Sequence, residues 1–206
     1  AEGAKVPELR FPGFGGEWEH RLVGDLGEFL GGGTPSRSND AYWNGTIPWI
    51  SSSDVSEESI CTINVSRYIS EEALENSATK VVPIGSILLV ARVGVGKLAI
   101  SRQELCTSQD FINLTPRGVN ARFLAYSFKA GVTKLIALSQ GMAITGFTKE
   151  DLMKMAILIP ASDDEQGAIA SLLFSVDERI ASQADRINAL EQHKKGLMQG
   201  LFPQAN

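Results

Sequence analysis

Between positions 92 and 149 the chain carries eight basic residues and two acidic ones, a local net charge of +6 in a molecule whose formal net charge is −5. The eight are Arg92, Lys97, Arg102, Arg117, Arg122, Lys129, Lys134 and Lys149. Residues 1–91 hold 6 basic and 13 acidic groups, and residues 150–206 hold 5 and 9. Binding a polyanion requires one positive surface rather than a positive total, so the chemistry at issue is contact with phosphate. Arg92, Lys97, Arg102, Lys134 and Lys149 are the candidates for it. Were the polyanion a nucleic acid, reading base edges would take polar side chains on loops, for which Ser36, Arg37, Asn39, Ser108, Gln109, Ser139, Gln140 and Thr145 qualify. Arg suits guanine, and Gln or Asn suits adenine. For any one of these residues taken singly, an ordinary solvated side chain is the default.

Other chemistries fare worse. Gly94-Val95-Gly96-Lys97-Leu98-Ala99 loosely matches a dinucleotide fingerprint, which works only if a helix starts there and an acidic residue follows about 20 positions on. Here Leu98-Ala99-Ile100-Ser101 reads as extended, and the acidic residue is missing. A phosphate loop fails too, because Lys97 is followed by Leu98 rather than by a magnesium-binding Ser or Thr. The better account is a hairpin displaying Arg92 and Lys97, its glycines permitting positive φ. The two cysteines (Cys61, Cys106) and two histidines (His20, His193) lack the paired spacing of a Cys/His zinc site, and both thiols are expected to be reduced and structural. Asp54, Glu57 and Glu58 read as an acidic surface cluster without an obvious partner. No nucleophile and base converge, so neither catalysis, metal nor cofactor is expected of this chain.

The elements that must position these groups are mixed. Trp18 to Leu30 has helical spacing at Leu22, Leu26 and Phe29, and ends at the breaker cluster Gly31-Gly32-Gly33-Thr34-Pro35. That cluster is either a simple loop or one whose amides follow a phosphodiester backbone. Tyr42 to Gly45 is a turn and Ile47 to Ile50 a short extended segment, with Tyr42, Trp43 and Trp49 expected as core. Glu71 to Ser77 is a short acidic helix, and Pro83-Ile84-Gly85 turns into a buried strand at Ser86 to Val93. Leu98 to Ser101 and Phe111 to Thr115 are strands. Ala121 to Lys134 is a helix, Thr148 to Asp151 caps another, and Met155 to Ile159 is the last strand.

From Ser162 to Phe202 the sequence reads as one amphipathic helix. It opens on Ser162-Asp163-Asp164-Glu165, a capping box, and is closed by Pro203. Roughly 40 residues at ~1.5 Å each span about 60 Å. The steps Leu172→Val176→Ile180 form a stutter that locally unwinds a coiled coil. Beyond it Ile180, Gln183, Ile187, Leu190, Lys194, Leu197 and Leu201 occupy an a/d seam, in which Gln183 and Lys194 tend to set register and partner choice. The narrow stripe favours a coiled coil over a helix lying on its own domain. No apolar run nears ~18 residues and no signal peptide opens the chain, so a soluble, cytoplasmic protein without a membrane partner is expected.

Gly32-Gly33-Thr34-Pro35-Ser36-Arg37 followed by Tyr42-Trp43-Asn44-Gly45-Thr46-Ile47-Pro48-Trp49 resembles the start of a target recognition domain in the specificity subunit of type I restriction-modification enzymes. So do Gly85-Ser86-Ile87-Leu88 with Arg92-Val93-Gly94, and Cys106-Thr107-Ser108-Gln109-Asp110-Phe111. Gly146 to Leu152, Glu165-Gln166 with Ile169-Ala170, Val176-Asp177 and the ending Lys194 to Pro203 are similar to the run through that family's conserved helix. The resemblance covers nearly the whole chain. It implies a domain reading one half of a split double-stranded DNA site, and a helix that acts as a spacer and docks methyltransferase subunits. Restriction/translocase subunits complete such complexes. A full subunit carries two recognition domains and two helices, so this chain corresponds to half. Two copies paired antiparallel would restore the geometry with two-fold symmetry and read a gapped palindrome.

The expectation is therefore an α+β fold: a recognition domain over 1–160, then a spacer and dimerisation helix over 161–206 forming an antiparallel coiled coil. The alternative is a coiled-coil scaffold whose head binds a protein. The opening Ala1-Glu2-Gly3-Ala4-Lys5 reads as linker, which leaves open an excised half of a longer subunit or a processed chain.

Overall fold

The structure, a computed structural model, describes residues 5–138 and 146–202 and groups the chain into two units, Ala1–Ala170 and Ser171–Asn206. The expected linker over Ala1–Ala4 and the closing Pro203 lie outside the described residues.

The first unit is organised by the apolar run after Gly85. Strand β6 (Ile87–Val90) is buried at all four positions. Its alternate side chains feed two different cores: Ile87 and Leu89 face one, Leu88 and Val90 the other. A strand covered on both faces has no polar side to show, which is why the run is continuously hydrophobic. It is paired antiparallel on one side with β7 (Leu98–Ile100) and on the other with β9 (Phe111–Pro116), which pairs in turn with β2 (Gly27–Gly31). On one face lie α2 (Ala121–Ala130), α3 (Val132–Leu138) and α4 (Lys149–Lys154), contributing Phe123, Leu124, Phe128, Leu135 and Leu152. On the other lies a second sheet in the order β4 (Arg67–Ile69), β3 (Ile47–Ile50), β8 (Leu105–Thr107), β5 (Val81–Val82), contributing Ile50, Val82 and Leu105. Strands β3 and β8 are parallel. Helix α1 (Glu71–Glu75) is capped by Ser70.

The tight β6–β7 connection matches the hairpin expectation. Gly94 and Gly96 take φ of +89° and +95°, values that side chains resist. Lys97 N–H donates to the Gly94 carbonyl at 3.2 Å, and Gly96 N–H to that of Val90 at 3.3 Å.

Three expectations are corrected. Trp18 to Leu30 is not a helix: β1 (Glu19–Leu22) pairs with β10 (Ala156–Ile159), a 3-10 turn occupies Val23–Asp25, and β2 follows. Its apolar spacing suited a helix. However, Gly24 and Gly27 each cost about 1 kcal/mol inside one, and two distant strands offer this backbone its hydrogen bonds. The helix expected from Ala121 to Lys134 is two, broken at Gly131, whose N–H caps α2 by donating to the Ser127 carbonyl at 2.9 Å.

The third correction concerns the start of α5 (Asp163–Leu201). Only half of the expected capping box forms: Glu165 N–H donates to Ser162 Oγ at 3.3 Å. The Glu165 carboxylate is instead buried and receives Arg10 Nε and Nη2, both at 2.8 Å, with Trp18 Nε1 at 3.3 Å. The guanidinium's other donors reach the carbonyls of Gly15 and Gly16. Buried Gln166 accepts from Asn120 N–H at 2.9 Å and donates to the Pro160 carbonyl at 3.1 Å. The first turn of α5 is thus latched to the N-terminal segment and to the start of α2.

At α4 the capping box is complete. Thr148 Oγ1 and N–H both donate to Asp151, holding its carboxyl below the usual carboxylate range. A carboxyl whose folded pKa is depressed stabilises above its unfolded value, near 3.9, and loses that contribution as pH falls through the lower folded one. Thr148→Ala should return the Asp151 pKa towards its ordinary value, measurable by NMR titration. An unchanged titration would show that the box does not set it.

Arg10→Ala should cost about 3–5 kcal/mol in denaturant unfolding, because it leaves Glu165 charged, buried and unpaired. The double change Arg10→Met with Glu165→Leu should recover most of that loss. An Arg10→Ala protein as stable as the parent would remove the latch from this account.

Candidate nucleic-acid interface

Strand registers decide which polar groups meet. Val90 pairs with Phe111, and Gly31 with Ile112, so the chain leaving β6, the chain entering β9 and the chain leaving β2 emerge at one end of the central sheet. That end collects the Gly32–Arg37 loop, Arg92, Gln109 and Lys149. Phe147 N–H donates to the Ala91 carbonyl at 3.0 Å, bringing the start of α4 beside them. Arg92, Gln109, Thr148, Lys149 and Glu150 line one open cleft of about 350 Å³ floored by Phe111 and Phe147. Two cationic heads and the Gln109 amide can there receive phosphate oxygens or base-edge acceptors, whereas the Thr148 hydroxyl is already donated to Asp151.

The Gly32–Arg37 loop is held down by backbone approach and by two indole donors. A Cβ on Gly32 would lie 1.9 Å from the Ser108 carbonyl oxygen, and one on Gly33 2.4 Å from Thr79 N, so only glycine fits. Trp49 Nε1 donates to the Gly33 carbonyl at 2.9 Å and Trp43 Nε1 to that of Ser36 at 3.1 Å. Trp49 is buried, as expected of core, whereas Tyr42 and Trp43 are half-buried and pack against its cluster. The two indoles meet edge to face at 5.0 Å, and Arg67 stacks on Trp49 at 4.7 Å from the ring centroid. Arg67 also pairs with Asp54, while Glu57 pairs with Lys97 at 3.2 Å. Asp54 and Glu57 are thus engaged, unlike the partnerless acidic cluster the sequence suggested.

The remaining candidates divide. Ser36 and Arg37 are exposed on the loop, Ser36 within 2.8 Å of Ser38 Oγ. Asn39 accepts from Ala41 N–H at 3.2 Å and caps the 3-10 turn Asp40–Trp43. Ser108 is buried and donates to Asp110. Lys97 is at the same sheet end but tied to Glu57. Arg102 is exposed beyond Ile100, which pairs with Ile87, and so stands at the opposite end. Lys134 lies in α3. Ser139, Gln140 and Thr145 lie outside the described residues. Sequence reasoning missed Thr34, which donates to Gln109, and Thr148 in the cleft. Both flank residues it did single out, and a Thr starting a capping box was the available signal.

In the second unit α5 continues through Leu201 and carries its apolar stripe in the open. Leu172, Val176, Ile180, Ile187, Leu190, Leu197 and Leu201 are all exposed, as are Gln183 and Lys194. The full helix has 39 residues, a length of about 58 Å. Among the described residues no helix is long and apolar enough to cross a membrane.

Burial of Cys106 beside this loop pushes its thiol up to about 11, as suits a structural residue. Cys61 and Cys106 are not joined in a disulfide.

Known proteins match this chain in sequence and in fold. The specificity subunit of the type I restriction enzyme MjaIX from Methanocaldococcus jannaschii is 33% identical over 190 residues, covering 90% of this chain and 44% of that protein. The EcoR124I/EcoR124II specificity subunit of Escherichia coli is 41% identical over 165 residues, covering 76% and 40%. The crystal structure of a type I restriction-modification S subunit from M. genitalium superposes with a TM-score of 0.65 at 18% identity, covering 90% of this chain and 46% of that one. The chain therefore spans somewhat less than half the length of these relatives. Residues 15–192 match the model of the type I restriction modification DNA specificity domain, and the chain belongs to that family.

Proposed function

We propose that this chain reads one half of a bipartite double-stranded DNA sequence and presents it to methyltransferase subunits that carry out the chemistry. The observation that carries this reading is the convergence of the Gly32–Arg37 loop, Arg92, Gln109 and Lys149 at one sheet end. Arg92 and Lys149 supply phosphate contacts, and the loop side chains Ser36 and Arg37 with Gln109 meet base edges. The recognition domain corresponds to residues 1–160 and the spacer helix to 161–206. The exposed stripe on α5 serves association, pairing antiparallel with a second such helix, from another copy or from another part of a longer subunit. Modification and restriction/translocase subunits complete the assembly, which works in the cytoplasm.

The test is co-expression with a modification subunit of this family and genome-wide mapping of adenine methylation. A gapped motif is the expected result, and its loss in the Arg92→Ala, Lys149→Ala variant would tie it to the cleft. Arg117→Ala is the control: that residue follows β9 at the far end, roughly 20 Å away, in an exposed pair with Glu28. Methylation unaffected by the cleft variant would overturn the assignment of the interface.

The seam has its own test. Ile187→Asp with Leu190→Asp should abolish association in analytical ultracentrifugation while the first unit keeps its unfolding transition. Dimers persisting in that variant would exclude the stripe as the pairing surface.

A further inference from the structure

The hairpin between β6 and β7 holds a feature that the phosphate contacts leave unused. Val93, between Arg92 and Gly94, is 72% exposed. Its neighbour Val95 turns the other way and packs on the first core. Single exposed apolar residues are common, so exposure alone carries little. Position and rigidity carry more. Ile84, 63% exposed, lies in the turn before β6, at the opposite end of the sheet from the cleft. Val93 instead follows Arg92, which lines the cleft with Gln109 and Lys149.

The tip is also held from both sides. Gly94 and Gly96 adopt positive φ, and a Cβ on Gly96 would come within 2.7 Å of Val132 Cγ2, so the hairpin lies directly on α3. Across the strand, a Cβ on Gly146 would meet the Ala91 carbonyl oxygen at 2.6 Å. A short β-branched side chain fixed in this way has few rotamers to lose on binding. Among the base-edge groups of the major groove, the one that such a side chain can recognise is the C5-methyl of thymine.

We propose that Val93 is a specificity-determining residue that reads a thymine methyl group while Arg92 holds the adjoining phosphate; this rests on the DNA-reading function proposed above. The hairpin then approaches the major groove with its tip, and the methyl contact selects one T·A pair within the half-site.

The experiment selects duplexes from a random double-stranded library with the full chain, then replaces each thymine of the selected motif by deoxyuridine, which removes only the methyl group. One position should weaken wild-type binding roughly fourfold, the value of one buried methyl. Val93→Ala should be insensitive at that position, and Val93→Ile should remain sensitive. Thermal unfolding of both variants should match the parent, since the side chain is exposed. A motif indifferent to deoxyuridine at every thymine, or a sensitivity that Val93→Ala retains, overturns the inference and leaves DNA reading standing. A chain that enriches no duplex overturns the DNA-reading function itself.

Discussion

Burial of the central strand on both faces is the constraint from which the rest of the first unit follows. Ile87 and Leu89 are committed to one core and Leu88 and Val90 to the other, so β6 has no side chain left to meet a ligand. Chemistry can emerge only where the strands end. Because β9 and β2 register against β6 as they do, three loops leave the sheet at one end, and there the polar residues gather. The cleft is thus a consequence of register: a slip of one residue in β9 would exchange its core faces and dismantle both layers.

A second constraint binds the ends of this unit together. Glu165 and Gln166 are consecutive, buried and polar, and each is satisfied by distant segments: Arg10 and Trp18 for one, Asn120 and Pro160 for the other. Buried charge is costly unless paired with good geometry, and the two-pronged Arg10 contact meets that condition. By sequence this Glu-Gln pair reads as a helix start. Here it is also the latch that keeps the first turn of α5 in the first unit.

The loop that carries Ser36 and Arg37 has a different kind of support. Its backbone carbonyls are taken by indole N–H groups rather than by a strand partner. That leaves its exposed side chains on a stiff platform, and preorganisation reduces the entropy lost on ordering a recognition loop. The tryptophans therefore set the shape of the loop without needing to touch a ligand.

Much was legible in the sequence because much is decided locally. The glycine hairpin, the Thr148 capping box, the buried run of β6 and the length of α5 follow from backbone freedom, hydrogen-bonding reach and hydrophobic period. The basic stretch was legible as composition, and the motif order pointed to the family. What the sequence left undecided involves partners far apart in the chain. Leu22, Leu26 and Phe29 satisfy a helical period, yet β10 and β9 provide the pairing that puts Leu22 and Phe29 in strands. Glu165 satisfies a capping rule, yet Arg10, 155 residues away, claims its carboxylate. Charge count could not separate Arg92 and Lys149, which share a cleft, from Arg102 at the opposite end or Lys97 tied to Glu57. Local sequence sets what each segment is able to form. Long-range pairing and burial, whose energies exceed those local preferences, decide which form is taken and which side chains remain free to bind.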